Sequence, residues 1–317
     1  MTKIAVLDDY QNVALEMADW SVLPDDADVT VFNAYLGDTD AVAARLAEFN
    51  IVGIMRERTP FPRALFEKLP NLKLLVTTGM RNASVDLAAA ADHDVVVCGT
   101  RGLARNTVEL TWALILAVAR SLPFEDRRMR HGGWQTTLGR DLEGATLGVI
   151  GLGRLGSQVA TVGKAFGMNL LAWSQNLTAE RAAEFDAALV SKEDLLARAD
   201  FITIHLILSG RTRGLIGAAD LARMKPDAYL INTSRGPIVD EAALIAALAA
   251  KRIAGAGLDV YDIEPPPIDH PLRRLDNVVL SPHIGYVTGN TYRVFYGDMV
   301  EAIAGYLDGA PVRQLQV

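Results

Sequence analysis

Thr146-Leu147-Gly148-Val149-Ile150, followed directly by Gly151-Leu152-Gly153-Arg154-Leu155-Gly156 and then by a helical pattern, is the stretch on which the fold turns. The first five residues read as a buried strand. A Gly-x-Gly-x-x-Gly on its own is a common glycine-rich turn; between a strand and a helix it is a phosphate-binding turn. The three roles are steric. Gly151 permits the tight turn, Gly153 lets a pyrophosphate approach the backbone, and Gly156 lets the helix pack against the strand. The N–H groups of Arg154 and Leu155 then point at phosphate oxygens, aided by the helix dipole.

Working outward, strand-like runs precede this turn at Lys3–Leu7, Val29–Phe32, Ile51–Met55, Leu72–Thr77 and Val95–Cys98. Helical patterns lie between them near Asp40–Phe49, Pro62–Leu69 and Val85–His93. Ala104–Leu122 reads as one long helix ended by Pro123, with a polar stretch through Gly132-Gly133-Trp134. After the turn, strands are expected at Asn169–Trp173, Phe201–Leu206, Ala228–Thr233, Gly255–Val260 and Val278–Ser281. Ser191-Lys192-Glu193-Asp194 resembles a capping box, Asp240 precedes another helix, and Thr288–Leu307 is helical. Strands separated by helix-length segments imply parallel sheets. Two α/β lobes follow, the second starting near residue 101.

The chain length of 317 residues agrees with two domains at roughly 150 residues each. A composition of 50% hydrophobic and 22% charged residues excludes a disordered chain. The longest nearly apolar run, Leu110–Ala119, falls well short of the roughly 20 residues of a membrane span. The net charge of −7 and the lack of a basic face argue against a nucleic-acid partner. Arg127, Arg128 and Arg130 follow Glu125 and Asp126 and read as a solvated helix face. Cys98 is the only cysteine, so neither an intrachain disulfide nor a cysteine-based metal site is possible. The start, Met1–Tyr10, reads as a strand without signal-peptide features. The expectation is a cytoplasmic protein.

A dinucleotide site of this type places an acid at the end of its second strand to bind the ribose hydroxyls of NAD. Here that strand ends Ala172-Trp173-Ser174-Gln175-Asn176, and Ser174 holds the position. No carboxylate repels a 2′-phosphate, and no arginine follows until Arg181. NAD and NADP both remain open.

Further stretches carry a family resemblance over nearly the whole chain. They are Gly148–Gly156, Ile231–Asp240 (INTSRGPIVD), Gly257-Leu258-Asp259-Val260-Tyr261 up to Glu264-Pro265, and Ser281-Pro282-His283-Ile284-Gly285. In this order and spacing the sequence resembles the D-2-hydroxyacid dehydrogenases, which include glycerate, glyoxylate/hydroxypyruvate, D-lactate, 3-phosphoglycerate and formate dehydrogenases. The resemblance implies Arg235, Glu264 and His283 as a catalytic trio. Singly, each has a bland reading: a surface charge, a loop acid, a helix cap. Together they match a chemistry. Reduction of a 2-keto acid delivers hydride to carbon and a proton to oxygen, and a histidine is suited to donate that proton near neutral pH. A glutamate on the far ring nitrogen fixes the tautomer and favours imidazolium. An arginine fork clamps a carboxylate and polarises the carbonyl. The resemblance also places His205 near the pyrophosphate, Thr233 and Ser234 near the nicotinamide ribose, and Asp259 near the carboxamide. His205 reads more readily as a satisfied strand-end histidine, and Asp259 equally as a strand-end turn residue.

One segment departs from the family pattern. The resemblance implies a glycine-rich turn, roughly Gly-x-Gly-x-Asp-x-Ile-Asp, whose backbone binds the substrate carboxylate. Here the segment around Thr78 reads Gly79-Met80-Arg81-Asn82-Ala83-Ser84-Val85-Asp86. A positive φ at the second glycine would strain Arg81. Either the turn differs, or Arg81 binds an anionic group of the substrate. Because the protein is acidic overall, local cations must hold a keto acid: Arg235, His283 and, from the first lobe, Arg56 or Arg81.

The expectation is an NAD(P)-dependent reductase of 2-keto acids. The family implies a homodimer, with Ala104–Leu122 as a contact helix. Two other readings share these residues: a dinucleotide-sensing corepressor-like protein, and a phosphite-type dehydrogenase. Formate oxidation is disfavoured, because the formate enzymes resemble this pattern with glutamine in place of Glu264. The expected architecture is two doubly wound parallel sheets. A Rossmann dinucleotide-binding domain, residues 101–283, is inserted into a flavodoxin-like substrate domain made of residues 1–100 and 284–317.

Overall fold

The computed structural model describes residues 1–316. In the first unit, β1 (Thr2–Val6), β2 (Ala27–Val31), β3 (Ile51–Ile54), β4 (Leu74–Thr77) and β5 (Val96–Gly99) form a parallel sheet in the order β2-β1-β3-β4-β5. In the second unit, β6 (Thr146–Ile150), β7 (Asn169–Trp173), β8 (Ala188–Leu189), β9 (Phe201–Ile204), β10 (Tyr229–Asn232), β11 (Gly255–Leu258) and β12 (Val278–Leu280) form a parallel sheet in the order β12-β11-β10-β9-β6-β7-β8. The first unit is Met1–Leu103 with the final segment from Val287, and the second is Ala104–Tyr286. The chain thus crosses between units after Leu103 and again after Tyr286, a few residues beyond each crossing expected from the sequence.

The central strands β3, β4 and β9 are buried along their whole length. This is what helices on both faces of a sheet require, and why these strands read as continuous apolar runs rather than alternating ones. Two apolar clusters occupy the second unit, one containing Ile202, Leu230 and Leu244, the other Val149, Val159 and Trp112. A third, containing Val52, Phe66 and Leu75, fills the first unit. Helix starts follow their side-chain signals. Ser191 accepts the N–H of Asp194 at 3.0 Å, and Asp240 that of Ala243 at 3.0 Å.

Two elements differ from the sequence reading. The long helix ends earlier: Arg105–Ala119 is followed by Ser121 at φ 47°, and a separate helix, Leu122–Arg130, leaves at a bend of 62°. Pro123 therefore starts a helix instead of ending one, because a missing N–H costs nothing in a first turn. Part of the expected polar stretch is this second helix, none of whose side chains is buried. The edge strand β8 was not anticipated; it is two exposed residues long and needs no apolar run. Among the described residues, no single helix is long and apolar enough to cross a membrane.

Both sheets reverse strand order once, between β1 and β3 in the first and between β6 and β9 in the second. Ligands of open α/β sheets bind beyond the carboxyl ends of strands at such a reversal. In the second unit this point lies between Gly151 and His205; in the first, Asp8 and Arg56 follow the two strands. Each chain crossing is tied down within its own unit. Buried Asp298 accepts the Arg101 N–H at 2.7 Å and its guanidinium at 2.7 and 3.0 Å. Thr107 donates its hydroxyl to the Gly285 carbonyl at 3.2 Å.

Candidate active site

The glycine turn is built as its spacing requires. Gly151 has φ +101°, in the left-handed region, and a Cβ there would lie 2.7 Å from the His205 carbonyl oxygen. A Cβ on Gly156 would lie 2.0 Å from the Gly151 oxygen, so helix Arg154–Ala165 can pack here only on glycine. A Cβ on Gly153 would meet nothing within 4 Å, which leaves room for a ligand against the backbone. No side chain caps this helix, so its first N–H groups keep their donor capacity and the positive end of the dipole faces outward. These features fit a pyrophosphate.

Ser174 follows β7 half-buried, and its carbonyl accepts the Leu177 N–H at 3.1 Å. Arg181 is engaged elsewhere: it pairs with Glu184 and lies 4.6 Å over the Phe185 ring. His205 donates its backbone N–H to Ile150 at 2.8 Å, and its Nε2 lies 2.9 Å from the Thr203 hydroxyl. Burial pushes the His205 imidazole down to about 4, so it is neutral beside the glycine turn at physiological pH. The Thr233 hydroxyl is buried against that of Thr111 at 2.8 Å.

The trio sits beyond three adjacent strands. Past β10, Asn232 folds the turn that carries Arg235: its Oδ1 accepts the Ser234 N–H and its Nδ2 donates to the Arg235 carbonyl, each at 3.0 Å. The Arg235 guanidinium donates to the Ser234 carbonyl at 2.8 Å. Past β11, Glu264 accepts the Tyr261 N–H on Oε1 at 2.9 Å and turns Oε2 to His283 Nδ1. The Glu264–Pro265 peptide is cis. Past β12, His283 turns its Nδ1 to the Glu264 carboxylate. The Tyr286 ring packs edge-on at 5.8 Å.

Asp259 directly follows β11. It is buried, and its carboxylate accepts the Ser281 hydroxyl at 2.6 Å and the backbone N–H groups of Ile284 at 2.8 Å and Gly285 at 2.9 Å. Burial raises its carboxyl above the usual range, opposed by these bonds and by His283. His283 itself has φ 54°, which side chains avoid at a cost of roughly 1–2 kcal/mol. The two N–H groups held by Asp259 directly follow it and keep it there. The Asx turn of Asn232 could have been read from Asn-Thr-Ser; the reach of Asp259 to residues far along the chain had no local signal.

The substrate-loop residues lie in the first unit, beyond β3 and β4. Arg56 has φ 52°; its N–H is donated to the Thr78 hydroxyl at 2.8 Å and its guanidinium to the Thr78 carbonyl at 3.2 Å. Asn82 holds the Arg56 carbonyl at 2.7 Å. The positive φ of the turn falls on Gly79, at +90°, and Arg81 is not in that region, so the expected strain at Arg81 does not exist. The Gly79 N–H is already donated to the Thr100 hydroxyl at 2.8 Å, and the Arg56 guanidinium covers Gly79 where a Cβ would stand. Met80 and Arg81 are exposed. Among the described residues, no group of three or more His, Cys, Asp or Glu side chains could hold a metal.

Comparison with known proteins places this architecture. The family model described as the NAD-binding domain of D-isomer-specific 2-hydroxyacid dehydrogenases matches residues 112–285. The chain belongs to the D-isomer-specific 2-hydroxyacid dehydrogenase family. It is 41% identical over 237 residues to the glyoxylate reductase of Aeropyrum pernix, covering 72% of this chain and 71% of that one. It is 39% identical over 263 residues to the D-3-phosphoglycerate dehydrogenase of Archaeoglobus fulgidus, covering 82% of this chain but 50% of that one, so it spans about half the length of that relative. The crystal structure of a phosphoglycerate oxidoreductase from Vibrio cholerae matches with a TM-score of 0.93 at 37% identity, covering 98% of this chain and 100% of that one.

The neutral His205 has a consequence for stability. Its native pKa lies below the unfolded value of about 6.5, so the unfolded chain binds more protons between these values. Stability is therefore lost as pH falls from about 6.5 towards 4, by up to about 3 kcal/mol. Denaturant melts across this range should show a steeper loss for the native chain than for His205→Asn; parallel curves would refute the burial effect.

Proposed function

We propose that the chain is a nicotinamide-dependent reductase of small 2-keto acids, working as well in reverse on D-2-hydroxy acids. The observation that carries this reading is the Glu264–His283 pair, which with Arg235 follows three adjacent strands at the sheet edge that also bears the glycine turn. Gly151, Gly153, Arg154, Leu155 and Gly156 would hold the dinucleotide pyrophosphate, His205 would line that side as a neutral group, and Ser174 would face the adenosine ribose. Thr233, whose hydroxyl is bonded to Thr111, and Asp259 would border the nicotinamide through their backbone turns. The dinucleotide, when bound, supplies the hydride.

The residues divide the remaining work. Arg235 binds the substrate carboxylate and polarises the carbonyl with its planar fork of donors. His283, protonated, gives the Nε2 proton to the carbonyl oxygen as hydride reaches the carbon. With the hydride that the dinucleotide would supply, a keto acid and one proton would become a hydroxy acid. Glu264 holds Nδ1, which fixes the ring and its tautomer. In the oxidative direction neutral His283 takes the hydroxyl proton. The cations of the first unit, Arg56 and Arg81, bind anionic substrate groups; Arg56 is braced against Thr78 and Gly79, while Arg81, beside Met80, is extended into solvent.

The dinucleotide is NAD or NADP. Ser174 brings no carboxylate against a 2′-phosphate, and Arg181 is paired with Glu184, so no cation favours one either. We further read the protein as a homodimer; helix Arg105–Ala119, the contact expected from the sequence, buries its apolar side chains in the core of its own unit, so the contact is assigned instead to residues 122–138. Leu122, Met129, Trp134 and Leu138 are exposed there, the last two by 72% and 99%. A run of apolar side chains of this kind marks an interaction surface.

Four measurements test the reading. His283→Ala should abolish turnover of glyoxylate, hydroxypyruvate, pyruvate and bulkier 2-keto acids with NADH and NADPH, while dinucleotide affinity stays within about threefold; lost binding would make His283 structural, and a native chain idle on every pair would favour a dinucleotide-sensing protein. Glu264→Gln keeps a polar partner for Nδ1 but removes the carboxylate, so the pH profile of keto-acid reduction should differ from the native one; an unmoved profile contradicts the pair. Arg81→Ala should raise KM for at least one keto acid with kcat preserved, and unchanged KM across the set would remove Arg81 from the site. Sedimentation should give a dimer mass, converted to monomer by Trp134→Ser with Leu138→Ser; a native monomer would end the dimer reading.

A further inference from the structure

The acid of the trio rides on an awkward segment. Residues 262–270 (Asp262-Ile263-Glu264-Pro265-Pro266-Pro267-Ile268-Asp269-His270) contain no helix or strand, and Ile263 and Ile268 are exposed, so core packing does not hold the loop. Its aim nevertheless has to be accurate, because Glu264 must reach Nδ1 of His283.

One side chain ties both ends of this loop. Glu241, in the first turn of helix Glu241–Ala249, accepts the backbone N–H of Asp262 on Oε2 at 3.1 Å. Its other oxygen, Oε1, accepts from His270 Nε2 at 3.1 Å. Both partners are largely buried, with 13% and 17% of their side chains exposed. An acid in a first helical turn is normally explained by the helix dipole. Here Asp240 caps the helix, and both oxygens of Glu241 go to the loop instead. His270 Nδ1 is buried without a partner, so its single bond to Glu241 sets the ring and puts the proton on Nε2. Arg273 closes the same end, donating to the carbonyls of Pro266 and Pro267 at 3.0 Å each.

We propose that Glu241 and His270 form a clasp that positions Glu264 for its partnership with His283. They are positioning residues and touch no reacting atom. The proposal rests on the reading of Glu264 and His283 as the proton-transfer pair. Closing the loop at its base shortens the free segment around Glu264, which lowers the entropy cost of presenting its carboxylate at one point. Asp240, Asp262, Arg213 and Arg273 are further charged groups around the clasp, and Glu264 and Asp259 face His283.

The test compares Glu241→Ala, Glu241→Gln and His270→Gln with the native protein. The readouts are NADH affinity by fluorescence, and kcat, KM and the pH profile for reduction of a 2-keto acid that the native protein turns over. Glu241→Ala should lower kcat about tenfold while NADH affinity and KM change less than about threefold. Its pH profile should differ from that of the native protein, as expected when Glu264 no longer faces His283. Glu241→Gln keeps an acceptor for Asp262 and a polar group for His270, and should recover most of both effects. His270→Gln should fall between, and carries the test alone if Glu241→Ala does not fold. Unchanged kcat and pH profile in the variants would overturn the clasp. So would loss of NADH affinity in step with activity, since the pair would then support the whole unit. Turnover surviving in His283→Ala would instead remove the underlying reading, a result independent of the Glu241 series.

Discussion

A parallel sheet closes only through crossovers, and each crossover returns the chain to the same edge before the next strand begins. All strands of such a sheet therefore end on one side. In the second unit this constraint gathers residues that are far apart in sequence. Gly151 follows β6, His205 follows β9, and Arg235, Glu264 and His283 lie beyond β10, β11 and β12, which are neighbours in the sheet. The order reversal between β6 and β9 opens the crevice in which the glycine turn sits. Nothing in the site requires a special fold element; the sheet supplies the edge, and the turns supply the chemistry.

At that edge, and at the carboxyl edge of the first unit's own sheet, the backbone is held in conformations that side chains avoid. His283 at φ 54° and Arg56 at φ 52° are both left-handed, and each is pinned by a side chain from another segment. For His283 the pin is the buried Asp259 carboxylate on two successive N–H groups; for Arg56 it is the Thr78 hydroxyl, with Asn82 on the carbonyl. Hydrogen bonds to a charged group contribute about 1.5–3 kcal/mol each, enough to offset a strained residue of roughly 1–2 kcal/mol. Strain of this kind is affordable where surrounding groups over-determine the geometry, and it aims a side chain away from the path of its own strand.

The parts of the site that could be read from the chain are those whose function depends on adjacent residues. The glycine turn is legible because steric demands at Gly151, Gly153 and Gly156 act within six residues of one another. Arg235, Glu264 and His283 were legible because each sits in a short stretch of recognisable pattern. Asp259 was only half legible: its place at a strand end was clear, but its partners Ile284 and Gly285 lie beyond another strand. The role of Pro123 was misread because a proline ends one helix and begins another equally well, and only the left-handed Ser121 distinguishes the two. The strain expected at Arg81 assumed a turn that the chain does not adopt; Gly79 takes the positive φ instead.

The amino-acid sequence by itself determined the alternation of strands and helices and the glycine turn, because these follow from local periodicity and glycine placement; Arg235, Glu264 and His283 it marked only through the family resemblance of the stretches that hold them. The tertiary structure alone decided which of those residues meet. It brought Glu264 to Nδ1 of His283, turned Asp259 into the anchor of the His283 loop, set the Arg56 guanidinium over Gly79, and closed the Glu264 loop on Glu241 and His270. Such contacts join segments tens of residues apart, and their geometry depends on strand order and register, which no stretch of sequence encodes on its own.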